Sequence, residues 1–272
     1  MVIFDTHAHY SDSIYDADRE TLLKKMATDG VTDITLIGAS LENSKKEKEI
    51  ANIYNKVDGV PKLHYVIGTH PDDIPSFSPN SDEGEKYINE LKSLVYDDGK
   101  ITAVAIGEIG LDYYGDFKSK DDYERQKEWF IAELNLAKKL DLPIVVHSRD
   151  ACKDTLDIIK AYALGLTGII HCFSYEKDIA LEYVKLGFCI GVGGVVTFKN
   201  RRKLKEVVET IPIENIVTET DAPWLSPVPL RGKRNDSSNI KYVIEEIAKI
   251  KGLDIEEVSD VLYNNAIEIY GL

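Results

Sequence analysis

Eight short apolar runs, rich in β-branched residues, recur along this chain of 272 residues and are separated by segments of helical character. The runs read VIF, VTDITLIGA, KLHYVIG, ITAVAIGEIG, PIVVH, GII, GFCIGVG and ENIVTE. Apolar residues repeat at helical spacing in residues 123–140 and 178–186 between them. Strands that alternate with helices pair in parallel through right-handed crossovers, so the pattern restricts the chain to a parallel α/β architecture.

Two parallel architectures satisfy this alternation. A doubly wound sheet binds its ligand at a glycine-rich turn after the first strand, but this chain has Asp5-Thr6-His7-Ala8-His9 there. We therefore predict a (β/α)8 barrel of the TIM type in a single domain spanning residues 1–272. Two further helices, over residues 240–250 and 255–269, are expected to pack outside the barrel.

The charge balance limits the partners that such a chain can bind. Its 47 acidic residues outnumber its 33 basic ones, giving a net charge of −14, which argues against broad adhesion to nucleic acid or anionic membranes. The three cysteines show no CxxC spacing, and neither an export signal nor a long apolar segment stands out. We expect a cytoplasmic protein with no membrane span and no obligate protein partner.

Residues of metal-ligand type lie where these apolar runs end. In a parallel barrel the carboxyl ends of all strands meet at one mouth, so such residues converge there. Singly, each is more often a cap or a hydrogen-bonded core residue, whereas together they predict a metal-dependent hydrolase. Four imidazoles and two carboxylates suit zinc, manganese, iron or nickel better than calcium. The six residues are His7, His9, Glu108, His147, His171 and Asp221.

Local spacing supports two of these assignments. His7 and His9 are two residues apart in an extended segment, so both side chains should leave the same face, with Asp5 below them. Glu108 follows a run apolar enough for a buried strand, where an ionised carboxylate is costly without a compensating cation. Its two oxygens could bridge two metal ions.

The combined motifs resemble the TatD family of metal-dependent deoxyribonucleases, a branch of the amidohydrolase-like barrels. The matching stretches occur in order across nearly the whole chain: FDTHAHY, IGTHPDD, IGEIGLDYY, PIVVHSRDA, IIHCFS, VTFKN and TETDAPWLSPVPLRGKRN. The resemblance implies a barrel with two divalent metal ions (Zn, Mn, Mg, Fe or Ni) that hydrolyses DNA phosphodiester bonds.

The resemblance also assigns roles to individual residues. The paired histidines of the first strand would hold one metal together with Asp221. Glu108 would bridge to a second metal, which His147 and His171 would also hold. His70, in IGTHPDD, would contact the substrate phosphate or the leaving group, although a cap before a proline is its ordinary alternative.

We hypothesise that a metal-activated water attacks phosphorus, with Asp221 as the general base and Glu108 and His70 assisting. Positive charge for a DNA substrate is expected from Arg149, Arg231 and Arg234. A surface ion pair with Asp150 or Asp154 is the alternative role of Arg149.

A second basic cluster follows the seventh strand, where a solvated helix face is the competing interpretation. Its members are Lys199, Arg201, Arg202, Lys203 and Lys205. Four aromatic residues near strand ends could stack the bases of single-stranded or frayed DNA, but such residues more often serve packing. These residues are Tyr113, Tyr114, Phe173 and Trp224.

The chain departs from the family pattern at two places after the eighth strand, so this loop is expected to recognise its substrate differently. Leu230 stands where the family commonly has histidine, and Asp236-Ser237 replaces Glu-Pro. The same metals would serve an ester or amide hydrolase, such as an aminoacyl-tRNA deacylase or a lactonase, and this stays the main alternative. A non-catalytic barrel that binds a partner is a more remote one, because a scaffold has no need of converging metal ligands.

Overall fold

Eight parallel strands follow one another in chain order around a nearly closed barrel in the computed structural model, which describes residues 1–115 and 119–272. All eight predicted strands are present, and the predicted barrel fold is confirmed. The barrel strands are β1 (Ile3–Ala8), β2 (Val31–Ile37), β3 (Lys62–Ile67), β6 (Ala105–Asp112), β7 (Ile144–Arg149), β8 (Gly168–Ile170), β9 (Phe188–Val192) and β10 (Ile216–Thr218). Strands β4 (Tyr96–Asp97) and β5 (Lys100–Ile101) form a separate antiparallel pair.

Helices cover the outside of the strands. The described helices are α1 (Arg19–Thr28), α2 (Leu41–Tyr54), α3 (Asp82–Leu94), α4 (Lys120–Leu140), α5 (Cys152–Tyr162), α6 (Lys177–Lys185), α7 (Arg202–Thr210), α8 (Ile240–Lys251) and α9 (Ile255–Tyr270). Both helices predicted from apolar spacing occur, as α4 and α6. Helix α4 begins at a capping box, in which Ser119 and Asp122 each bond the other's backbone N–H. Among the described helices, none has both the length and the apolar surface to cross a bilayer.

The first and last strands approach each other through a short bridge. Ala8 and Ala222 pair in parallel, the His9 N–H donates to the Ala222 carbonyl at 2.8 Å, and the Asp221 N–H donates to the His7 carbonyl at 2.9 Å. This junction brings the residues at the two ends of the barrel sequence side by side at its mouth.

The interior of the barrel is a layer of apolar side chains. The layer takes one residue from each strand: Phe4, Ile37, Val66, Ala105, Val145, Ile169, Cys189 and Val217. Ala266 and Tyr270 of α9 belong to the same cluster. Helix α9 therefore closes the end of the barrel opposite its mouth. The expectation that both C-terminal helices pack on the outside is wrong for α9.

The sequence of α9 explains this position. Val258, Leu262, Ala266 and Tyr270 recur at every fourth position, all are buried, and they form one apolar stripe. Polar groups then tie the helix to strand backbone. Asn265 Nδ2 donates to the carbonyls of Ile213 and Ile216, at the beginning of β10.

We predict that Tyr270→Phe lowers the free energy of unfolding by about 1–2 kcal/mol, because the Tyr270 hydroxyl donates to the buried Thr6 carbonyl at 2.8 Å and that acceptor would lose a partner. Denaturant unfolding measures the change. Tyr162→Phe is the control, since Tyr162 is 42% exposed. Equal stabilities of the two variants would contradict the role of α9 as a bonded plug.

Candidate metal centre

The six predicted ligands lie at the carboxyl ends of barrel strands and converge in the mouth. His7, Glu108 and His147 belong to strands β1, β6 and β7. His171 follows β8 directly, and Asp221 comes three residues after β10. The mouth opens into a cavity of about 800 Å³ that all of these residues except His7 line.

One group of ligand atoms joins the first strand to the end of the last. His7 Nε2 and His9 Nε2 lie 3.2 Å apart, and Asp221 Oδ1 lies 3.4 Å from His9 Nε2 and 3.9 Å from His7 Nε2. Potential ligand atoms of the three residues all lie within 4.8 Å of one another. The strand junction between β1 and β10 creates this proximity.

Glu108 connects this group to the opposite side of the mouth. Its Oε2 lies 3.3 Å from His7 Nε2, and its Oε1 lies 2.7 Å from His147 Nδ1 and 3.9 Å from His171 Nε2. The two oxygens thus face different histidines, which is the geometry that a bridging carboxylate requires.

The arrangement of the second predicted metal differs in detail from expectation. His171 clusters with His7 and Glu108 within 4.8 Å, and the imidazoles of His7 and His171 stack with centroids 3.4 Å apart. His147 clusters instead with His70 and Asp112. Glu108 approaches both His147 and His171, but these three do not form one group at that distance.

Two carboxylates that sequence reasoning did not identify orient these imidazoles. Glu219 Oε2 accepts from His171 Nδ1 at 2.9 Å, and its Oε1 accepts from the Cys172 N–H at 2.7 Å. Asp112 Oδ2 contacts His147 Nε2 at 3.1 Å. The bond to Glu219 leaves His171 Nε2 facing Glu108, as in carboxylate–histidine–metal arrangements, whereas both nitrogens of His147 contact carboxylates, Nε2 that of Asp112 and Nδ1 that of Glu108.

A sequence signal for both existed. Glu219 precedes Asp221 by two residues, and Asp112 follows Glu108 by four. Side chains alternate between the two faces along a strand, so residues two or four apart are expected on the same face.

A glycine permits the close approach of β6 and β7. A Cβ at Gly110, whose φ is +143°, would lie 2.0 Å from the His147 carbonyl oxygen. No side chain fits there, so the backbone of β6 reaches the position that sets Glu108 beside His147.

The carboxylates of the centre are compensated by imidazoles. Burial by itself raises the pKa of Glu108, but the charges of His7 and His171 and a hydrogen bond from His147 hold that pKa well below its ordinary value. Burial likewise raises the pKa of Asp221, and the hydrogen bond from His9 and the charge of His171 lower it overall. Among residues 1–115 and 119–272, neither carboxylate pairs with a lysine or arginine.

The pKa values of the imidazoles shift in opposite directions. Burial opposes protonation of His171, yet the charges of Glu219 and Glu108 raise its pKa to about 10. Burial also opposes protonation of His147, but hydrogen bonds to Asp112 and Glu108 raise its pKa to about 9. His70 lacks such bonds, and burial lowers its pKa to about 4.

The residues present fit divalent cations. Four imidazoles and two carboxylates converge in the mouth, and the ligand atoms of two groups, His7–His9–Asp221 and His7–Glu108–His171, lie within 4.8 Å of one another in each group. Cations bound between the facing nitrogen and oxygen atoms would satisfy this donor set without requiring protonated histidines.

Asp5 does not lie beneath the paired histidines as expected. Its buried carboxylate accepts hydrogen bonds from the His7 N–H at 3.1 Å, from the hydroxyl of Thr220 at 2.6 Å and from the hydroxyl of Ser237 at 2.6 Å. Burial raises the pKa of Asp5 to about 7 despite these bonds. Asp5 is therefore a structural tie across the strand junction, and the irregular register of β1 after Asp5 explains the failed alternation.

His70 lies at the edge of the mouth, three residues after β3. Its Nδ1 accepts from the Asp72 N–H at 3.1 Å, so the capping role considered above is present. Its imidazole also contacts that of His147 edge-on, with centroids 4.4 Å apart, and lines the cavity. With Nδ1 accepting, the proton of a neutral His70 resides on Nε2.

Of the three arginines predicted to contact the substrate, one forms an ion pair within the protein and two do not. Arg234 forms a bidentate ion pair with Asp18, at 3.0 Å and 2.6 Å, which neutralises its charge without a phosphate. Arg149 pairs with neither Asp150 nor Asp154; its guanidinium lies 3.7 Å from the ring centre of Tyr114. Arg231 is exposed, with its guanidinium 4.5 Å from the ring centre of Phe198.

The aromatic residues divide in a similar way. Trp224 and Tyr114 are 52% and 55% exposed, whereas Phe173 is buried. Tyr113 packs against Tyr123 and donates its hydroxyl hydrogen bond to Asp154. Trp224, which lines the mouth, therefore offers stacking surface there, whereas the ring of Tyr114 contacts the guanidinium of Arg149.

We predict that Glu219→Ala weakens divalent-metal affinity about 10- to 100-fold, because His171 loses the carboxylate that orients it. Competition against a chelating dye measures the affinity. Glu206→Ala removes a half-buried carboxylate that lies outside the centre and pairs with Arg202, and it provides the control. Unchanged affinity in Glu219→Ala would contradict an orienting role.

This chain is similar in sequence to known metal-dependent hydrolases. The TatD related DNase family profile matches residues 4–271. An uncharacterized metal-dependent hydrolase of Bacillus subtilis, YabD, is 38% identical over 99% of both chains. An uncharacterized metal-dependent hydrolase of Escherichia coli, YcfH, is 30% identical over 99% of this chain and 96% of its own.

A solved structure shows the same fold. The TatD homologue YjjV of Escherichia coli superposes with a TM-score of 0.86 at 26% identity, covering 99% of this chain and 98% of its own. Because the family profile and the curated relatives span nearly the full length, the chain belongs to the TatD family of metal-dependent hydrolases.

Proposed function

We propose that this hydrolase is a deoxyribonuclease that cleaves DNA phosphodiester bonds with two divalent metal ions. The observation that carries the proposal is the position of Glu108, whose two oxygens face histidines on both sides of a cavity that also admits a large substrate. The match to the TatD related DNase family supports the choice of DNA. A cytoplasmic location and activity without a protein partner remain predictions.

Divalent cations, when bound, acidify water and neutralise charge on phosphoryl oxygens. Asp221 stays ionised at neutral pH because its pKa is lowered, so its Oδ1 accepts the proton of the attacking water. His70 is neutral at pH 7, and its Nε2–H donates to a phosphoryl or leaving oxygen. Glu108 stays ionised and fixes the distance between the two halves of the centre.

Positively charged side chains near the mouth can bind the negatively charged substrate, although the whole chain is acidic. Arg149 lies on the mouth side of β7 and faces no carboxylate partner among the described residues. Trp224, with its ring centre 5.3 Å from that of His9, offers a stacking surface beside the reacting position. An unstacked strand fits this arrangement better than an intact duplex, so we propose single-stranded or frayed DNA as the substrate.

A substrate panel tests the function. Metal-loaded protein is assayed with single-stranded DNA, double-stranded DNA, an aryl phosphodiester, a lactone and an aminoacyl-tRNA, each with and without chelator. We expect chelator-sensitive cleavage of single-stranded DNA and the aryl phosphodiester. Ester hydrolysis without phosphodiester cleavage would replace the proposal with the ester-hydrolase alternative.

We predict that Glu108→Ala lowers kcat on single-stranded DNA by at least about 1,000-fold and lowers the occupancy of both metals, because one carboxylate serves both halves of the centre. Metal analysis and steady-state kinetics provide the measurements.

Glu133→Gln is the matched control, since Glu133 is an equally buried carboxylate on α4 outside the centre. Near-normal activity in Glu108→Ala, or an equal loss in Glu133→Gln, would refute the bridging role.

A further inference from the structure

A second cavity, of about 740 Å³, adjoins the metal centre beyond the ends of β7, β8 and β9. We call it the basic cavity. It shares His147, His171, Asp221 and Trp224 with the first cavity, and its other lining residues are different. Its volume lies within the roughly 300–1,000 Å³ typical of small-molecule sites.

One wall of the basic cavity is apolar. Phe173 and Leu204 are buried and Val195 is half-buried, while Leu225 and Trp224 keep exposed surface. A flat aromatic or heterocyclic group can pack against such a wall.

The lining of the basic cavity also includes arginine and lysine side chains, and no acidic residue among the described residues apart from the shared Asp221. Lys203 pairs with Glu176 at 2.5 Å and Arg202 pairs with Glu206 at 2.7 Å, so their charges are partly met. Arg149 and Arg201 form no ion pair within the described residues, and both line the cavity. These two guanidinium groups are therefore available for an anionic ligand.

The first turn of α7 adds to the positive electrostatic potential of the basic cavity. Residues 200–204 line the cavity, and α7 begins at Arg202 with neither a side-chain cap nor an acidic residue in its first turn. The free N–H groups and the positive end of the helix dipole favour an anion there.

Arg149 is held in place by a short chain of contacts from the metal centre. Asp112 contacts His147 through Oδ2 and accepts from the Tyr114 N–H through Oδ1 at 2.8 Å. The ring of Tyr114 then carries the guanidinium of Arg149 at 3.7 Å. One carboxylate thereby sets the distance between a metal-type imidazole and a cation of the basic cavity.

We propose that the basic cavity binds one nucleotide of the substrate strand, with its base against the Phe173–Val195–Leu204 wall and its phosphate on Arg149 and Arg201. This proposal rests on the proposed nuclease function. The first cavity is a poorer place for a polyanion, because Asp12, Asp16, Glu49 and Asp73 line it against Arg19 and Lys46. The charge difference assigns the phosphate-bearing side of the strand to the basic cavity.

The test is titration calorimetry of metal-loaded protein with thymidine 5′-monophosphate and, separately, with inorganic phosphate. We expect the nucleotide to bind at least about tenfold more tightly than phosphate, because the base adds contact with the apolar wall. Arg201→Ala should weaken nucleotide binding by about fivefold or more, since an exposed guanidinium contributes a charge-assisted bond.

Two further variants make the result specific. Lys46→Ala removes an exposed cation from the first cavity and should leave nucleotide affinity within about twofold of wild type, a change too small to reflect a lost charge-assisted bond. Val195→Trp fills the apolar wall and should remove the preference for nucleotide over phosphate, with thermal unfolding used to verify that it folds.

Several outcomes would overturn the proposal. Equal affinities for nucleotide and phosphate in wild type would show that the base makes no contact. Equal losses of nucleotide affinity in Arg201→Ala and Lys46→Ala would show that only the overall charge of the protein matters. If the protein cleaves DNA while Arg201→Ala binds nucleotide normally, this inference fails and the nuclease function stands. If nucleotide binds as expected but no DNA is cleaved, the proposed function fails and the site remains.

Discussion

The junction of the first and last strands is the contact on which the centre depends. The backbone bonds between His7 and Asp221 and between His9 and Ala222 bring together groups more than two hundred residues apart in the chain. Asp5 reinforces the junction through Thr220 and Ser237. Because three potential ligands lie at this seam, a shift in its register would separate them while leaving each local strand intact.

Charge in the mouth is organised in layers around this seam. The carboxylates of Glu108 and Asp221 face imidazoles, and Glu219 and Asp112 hold two of those imidazoles from behind. Positively charged arginine and lysine side chains lie farther out, where the barrel opens into the basic cavity. An acidic protein can therefore present a local positive surface to a phosphate, since pairing removes some charges and leaves others available.

Much of the architecture was predictable from local pattern. The eight strands and helices α4 and α6 followed from apolar spacing, which depends on short-range geometry. Residue types at strand ends indicated the centre because parallel strands deliver their carboxyl ends to one face. Helix α9 was misplaced, since an apolar stripe specifies burial but does not specify the surface against which the helix packs.

The sequence by itself determined the order of strands and the chemical character of the six residues at their ends. Tertiary structure alone decided which atoms meet: Asp5 turned to Thr220, His147 paired with Asp112, and Arg234 was neutralised by Asp18 while Arg149 stacked on Tyr114. The reason is physical. Spacing along a strand sets the face on which a side chain lies, but pairing between charges depends on distances that exist only once separate segments have packed.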